Sequence, residues 1–209
     1  MSAWQASNNS FKPTPCRGIG HVLYATLAHV RRPDTGRLNS GVRRHTQMRD
    51  FSILLNQNVV RWIGTELAFS EGSEDSPIVW KHSSVSFLQF LRLDAYLDCG
   101  CVLTLLSQLD DGSNFFGIYT DNSLIRPLKD EPYESGSIYR NRDVPEIPAG
   151  RVLFTDSEMD NSGNVLELSI GIGDSTVRMI SGEVYERADG SFWIAEVDEC
   201  LLVQVASGA

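Results

Sequence analysis

A chain of 209 residues with a net charge of −9 is long enough for one domain with a sizeable core, or for one domain and a tail. The charge is unevenly placed: residues 1–47 carry seven Lys/Arg and one acid, net +6, while residues 48–209 carry 11 basic and 26 acidic residues, net −15. An acidic domain is repelled by a nucleic-acid backbone and by anionic lipid, and no apolar run approaches the ~20 residues of a membrane span, so neither nucleic acid nor membrane is expected as its partner.

Asn8–Gly20, "NNSFKPTPCRGIG", shows no clear helix or strand period. Ile19–Val30, "IGHVLYATLAHV", is short, holds two histidines and is followed by "RRPD", which makes a poor signal peptide. "NNSFKPTP" at Asn8–Pro15 and "RLNSGVRR" at Arg37–Arg44 are a different kind of signal. They resemble translations of the two arms of an integron gene-cassette recombination site, an imperfect inverted repeat in DNA. Phe11-Lys12-Pro13 written TTC-AAG-CC reads GGCTTGAA on the other strand, and Arg37-Leu38-Asn39 written CGG-CTT-AAC contains GGCTTAA. The resemblance covers residues 1–47 and none of the acidic domain. It implies a leader selected as DNA, a mobile gene, and translation beginning at Met48. The rival reading of the same residues is a basic arm that binds nucleic acid or folds back on the acidic part.

From Met48 onward, alternation and turn chemistry dominate. "VVRWIGTELAF" reads as an early strand. "VSFLQFLRLDAYL" pairs with "CVLTLLSQL" across Asp98–Gly100, although Val85–Leu97 also suits a helix. "DDGSN" at Asp110–Asn114 turns the chain into "FFGIYT". Residues 121–150 hold Pro127, Pro132, Pro145 and Pro148 and read as a long surface excursion. In Val165–Ile172, Leu166, Leu168, Ile170 and Ile172 share a face, and Gly173-Asp174 suits a tight hairpin into "STVRMISGEVYE". Ala188–Gly190 supplies the next turn, into "SFWIAEV". Asp198-Glu199 then precedes "CLLVQV", a last strand. The fold expected is mainly β: an antiparallel sandwich or partly open barrel of about eight strands, with a C-terminal meander and at most one or two short helices.

The strong catalytic signatures are missing: no G-x-S-x-G elbow, no phosphate-binding loop, no HExxH, no CxxC. His82 is the single histidine after residue 47, so a Cys–His pair would have to use it with Cys99, Cys101 or Cys200. "DSEMDNSGNVLE" at Asp156–Glu167 spaces oxygen ligands like a calcium loop. It lacks the central glycine, however, and has expected strands on both sides, so a polar turn is the better reading. No cofactor or metal is indicated. An odd cysteine count in the domain argues against a disulfide framework and for the cytoplasm.

What remains is "GEVYERADGSFWIAEVDE" at Gly182–Glu199, which sets carboxylates among aromatics. Glu183, Tyr185, Glu186, Trp193 and Glu196 are the expected docking face for a basic protein partner, because Tyr and Trp are favoured interface anchors. The protein is thus expected to be a small, acidic, non-enzymatic binding protein. With a mobile gene, its role would be an accessory or toxin-neutralising one. The alternative is a ligand-binding or enzymatic β-barrel whose pocket is lined by Trp62, Trp80 and Trp193. An exposed edge strand would give a route to a homodimer.

Overall fold

The computed structural model describes residues 50–70, 77–109, 115–121, 127–131, 134 and 136–208. The basic leader and the Asp110–Asn114 turn lie outside the described residues. Among the described residues, nine strands follow one 3₁₀ turn at Phe51–Leu54: β1 Asn58–Leu67, β2 Leu88–Leu97, β3 Val102–Leu109, β4 Phe116–Asp121, β5 Tyr139–Asp143, β6 Gly150–Met159, β7 Val165–Ile172, β8 Ser175–Glu186 and β9 Phe192–Ser207. All pair antiparallel, in the order β4-β3-β2-β9-β8-β7-β6-β1-β5, with a further β2–β1 pairing. The fold is therefore mainly β, as expected, and β6 to β9 form the expected meander.

The extra pairing turns the sheet back on itself. One edge of β2 faces β1 over Phe90–Leu97; its other edge serves β9 at Leu88–Phe90 and then β3 at Leu93–Tyr96. β1 is shared in the same way: opposite β2, it meets β6 at Asn58–Val59 and β5 at Ile63–Leu67. The result is a partial ring from which the β3–β4 hairpin and β5 branch. Trp62, Phe90, Leu93, Leu105, Leu168, Ile170, Met179 and Leu201 fill its core. Each such side chain is worth roughly 1.5–3 kcal/mol of burial. A smaller cluster of Phe69, Val184 and Leu202, with Val85, Phe87 and Phe192 against it, packs on the opposite face of β8 and β9.

Turn residues set the meander. Ile172 and Ser175 are directly paired, so Gly173-Asp174 is a two-residue turn, and Gly173 at φ 58° supplies the left-handed position it needs. The calcium-like stretch is the β6–β7 hairpin: Asp160 Oδ1 accepts the N–H groups of Ser162 and Asn164 at 2.8 Å each, while Glu167 pairs with Arg178 at 2.6 Å. It is a polar turn, with its ends committed to strands.

Leu88–Leu97 is strand β2, paired with β3 as expected; the helix alternative for Val85–Leu97 fails because Phe90, Leu93 and Ala95 are buried and pair with β1, Leu93 and Ala95 meeting β3 as well. Two expectations need correction. Residues 121–150 are not simply a surface excursion. β5 lies within them, and Leu128 is tied down by its N–H to the buried Asp94 (3.0 Å) and by its carbonyl to the Tyr96 hydroxyl. "SFWIAEV" and "CLLVQV" are not separate strands either, because β9 runs through Asp198-Glu199 as one strand, Phe192–Ser207.

β5 is held by charge. Glu66 is 1% exposed and receives Arg140 at 2.5 Å and Arg142 at 2.8 Å, and Arg142 continues to Glu146 at 2.8 Å, which Lys81 also meets at 2.6 Å. Burial pushes the Glu146 carboxyl up, but hydrogen bonds from Arg142 and Lys81 outweigh this and bring it down from 4.5 to about 2. A carboxyl depressed in the folded state stabilises fully above its unfolded value, and that contribution fades as the pH falls toward the folded value. Thermal unfolding should therefore show a gap between wild type and Glu146→Gln that is whole above pH 4.5 and closes as the pH approaches about 2. Removing the buried carboxylate itself, in Glu66→Ala, leaves two arginines facing each other and should cost about 3 kcal/mol in urea denaturation.

Candidate functional site

The last hairpin is longer than the ring that holds it. β7 pairs with β8 only up to Ile180, and β2 pairs with β9 only at Leu201–Val203. Beyond these limits, Gly182–Glu186 and Phe192–Glu196 form a two-stranded arm closed by Ala188–Gly190, with Arg187 N–H donating to Ser191 O at 2.7 Å and Gly190 at φ 79°. Between core and arm, Ser181 pairs with Leu201 but Gly182 pairs with Glu196, so four residues of β9 bulge out, and Val197 takes a φ of 63°. The bulge is anchored. Ser107 Oγ and Ser181 Oγ both donate to the Asp198 carbonyl, at 2.5 and 3.0 Å. Gly182 is required there, because a Cβ would come within 2.7 Å of the Ala195 carbonyl oxygen.

Side-chain alternation now sorts the candidates. Four extra residues preserve the phase, so the face of β8 that carries Val177 and Met179 into the core continues as Glu183 and Tyr185, with Trp193 opposite Tyr185. Past the end of the core this face is open: Tyr185 is 37% and Trp193 42% exposed. Their rings stack at 5.3 Å with an interplanar angle of 26°. The Arg187 guanidinium stands 6.0 Å from the Trp193 ring centre. Glu186 and Glu196 lie on the other face, with Val184, Phe192 and Ile194. The structure thus brings three of the five candidates together and separates two.

It also adds one. The bulge turns the Asp198 carboxylate to the Tyr185 hydroxyl, Oδ2 at 3.1 Å, while Oδ1 accepts the Glu199 N–H at 2.8 Å; Glu183 Oε2 lies 3.2 Å from the same hydroxyl. One phenol proton therefore faces two carboxylates. Burial, followed by the charges of Asp198 and Glu199, raises the Glu183 carboxyl against the lowering effect of Tyr185, and burial with both carboxylates raises the phenol. Asp198 was legible as one acid of the aromatic–acidic stretch but not as part of the docking face, because nothing in a linear reading shows that a bulge folds it back thirteen residues to Tyr185.

The three tryptophans of the pocket reading stand in three different surroundings. Trp62 is 1% exposed in the main core, its Nε1 donating to Pro148 O at 2.9 Å. Trp80 lies under the Arg140 guanidinium at 4.1 Å. Trp193 is on the arm, so the pocket of Trp62, Trp80 and Trp193 is not formed. A Cys–His pair is equally unsupported: His82 Nδ1 is 2.7 Å from Ser84 Oγ and its ring packs on Phe192 at 4.7 Å. The Cys200 thiol is buried, and burial and the neighbouring carboxylates push it up, away from a thiolate.

Two carboxylates and two exposed aromatic faces suit a cationic side chain, by charge and by ring quadrupole, at ~0.5–1 kcal/mol for an exposed cation–π contact. The charge coupling is measurable. Asp198→Asn should lower the Glu183 titration midpoint, read from the Glu183 carboxyl carbon by NMR, whereas Glu186→Gln, on the opposite face, should leave it unmoved. Among the described residues, no group of three metal-ligating side chains converges, and no helix is long and apolar enough to cross a membrane. No family model, curated protein or solved structure matches the chain.

Proposed function

We propose that this is a small, acidic, non-enzymatic binding protein that docks a basic partner protein on the Glu183, Tyr185, Trp193 and Asp198 face of the β8–β9 arm. The observation that carries the reading is the solvent-exposed Tyr185–Trp193 stack with carboxylates at its edge. Large aromatics at the surface cost solvation and anchor interfaces well, because they present area with little rotamer entropy. The net charge of −15 on residues 48–209 would steer a basic partner toward it, making the encounter fast and salt-dependent. Glu186 and Glu196 belong to that general field and not to the docking face.

An accessory, toxin-neutralising role is supported by the likeness of residues 1–47 to translated cassette DNA, and residence in the cytoplasm is part of the same sequence-based reading. The full chain serves as bait at low and moderate salt, with retained partner quantified. Trp193→Ala and the double change Glu183→Gln/Asp198→Asn should each reduce retention at least about tenfold, the effect of losing a central anchor. Glu186→Gln/Glu196→Gln should retain the partner within about twofold, as peripheral charges do. Equal loss in both pairs of variants would reduce the interaction to general charge and remove the face from the account.

A further inference from the structure

We infer that the basic partner binds as an added β-strand along the outer edge of β9 at Phe192–Glu196, with apolar and cationic side chains alternating. This rests on the docking reading above and names how the partner is held.

The phase of the arm is set by the Arg187 N–H to Ser191 O bond. In an antiparallel ladder, directly opposed pairs alternate between bonded and non-bonded, so Tyr185–Trp193 and Glu183–Ala195 exchange bonds. Phe192, Ile194 and Glu196 then direct their N–H and C=O groups away from β8. β2, the neighbour of β9, reaches only Leu201–Val203, so among the described residues no strand lies opposite these groups. An open edge of this kind is a template for another chain.

A groove of about 230 Å³ adjoins that edge; Val85, Phe87, Val184, Phe192 and Ile194 line it together with Trp193 and the serines Ser84 and Ser86. The arm has two unlike faces, and this selects the occupant. Side chains of an added strand that fall on the Phe192 and Ile194 side meet the groove's apolar side chains. Those between them fall on the Trp193 side, beside the stacked rings and the carboxylates of Glu183 and Asp198. Alternating apolar and cationic residues satisfy both faces at once.

The test titrates the full chain with a short synthetic peptide of alternating lysine and valine, and with the same peptide N-methylated on alternate residues. The plain peptide should bind and protect the Ile194 and Glu196 amides from hydrogen exchange. Methylation in the phase that faces β9 should weaken binding at least about tenfold, since several backbone bonds are lost together. Ile194→Pro, which removes one outward N–H, should weaken the plain peptide while the unfolding midpoint reports that the fold survives. Equal binding of both peptides would overturn strand addition yet leave charge-based docking intact. Failure of both peptides would overturn it too, and the docking reading would then stand or fall on the Glu183 and Asp198 variants with the captured partner. A stable dimer that refuses the peptide would assign the edge to a second copy and overturn the inference.

Discussion

The register shift between Ser181 and Gly182 governs how this molecule divides into core and arm. Up to that point, β8 and β9 are two staves of the ring, with Val177, Met179, Leu201 and Val203 inside. Beyond it, the same two strands run on with neither β7 nor β2 beside them. Four residues of β9 must leave the ladder for this to happen, and the orphaned Asp198 carbonyl that results is taken up by two serine hydroxyls, one from β3 and one from β8. A buried carbonyl left unpaired costs about 1–3 kcal/mol, so these serines are part of the device.

The shift also explains why the functional face looks as it does. An even number of extra residues leaves the side-chain phase unchanged, so the inward face of the core becomes the open face of the arm. There it carries Glu183, Tyr185 and Trp193 in place of valine and methionine. The opposite face does the reverse: solvent-facing over much of the ring, it becomes apolar at Val184 and Phe192, where the Phe69 cluster covers it. The exchange makes the arm amphipathic in both senses, with an apolar side docked on the domain and a polar aromatic side presented to solvent.

The charged network at β5 plays a different part. A strand of sequence YRNRD has almost nothing to bury, yet it closes one margin of the sheet. What holds it is the buried Glu66 carboxylate, matched by two guanidinium groups whose planar forks suit it. The same carboxylate would be costly unpaired, so the interaction specifies β5 at that margin as much as it stabilises it. Proline-rich composition hid this strand from a linear reading, because its partner is Glu66, seventy-odd residues away.

Local chemistry was legible where it acts over a few residues. Alternation in Val165–Ile172, the Gly173-Asp174 and Ala188–Gly190 turns, the β2–β3 pairing and the mainly antiparallel class all follow from period and turn residues. The aromatic–acidic stretch was also recognisable as unusual. Which of its residues act together was not, because alternation gives two faces and does not say which one is buried. That depended on where β7 and β2 end, and on a bulge whose only local mark was a pair of acids. The same limit separated Trp62, Trp80 and Trp193, alike in sequence but sent to the core, to a guanidinium and to the surface. Composition and periodicity by themselves determined the kind of sheet and the sign of its charge. Its tertiary pairing decided what faces water, since exposure depends on which strand lies alongside and no residue carries that information alone.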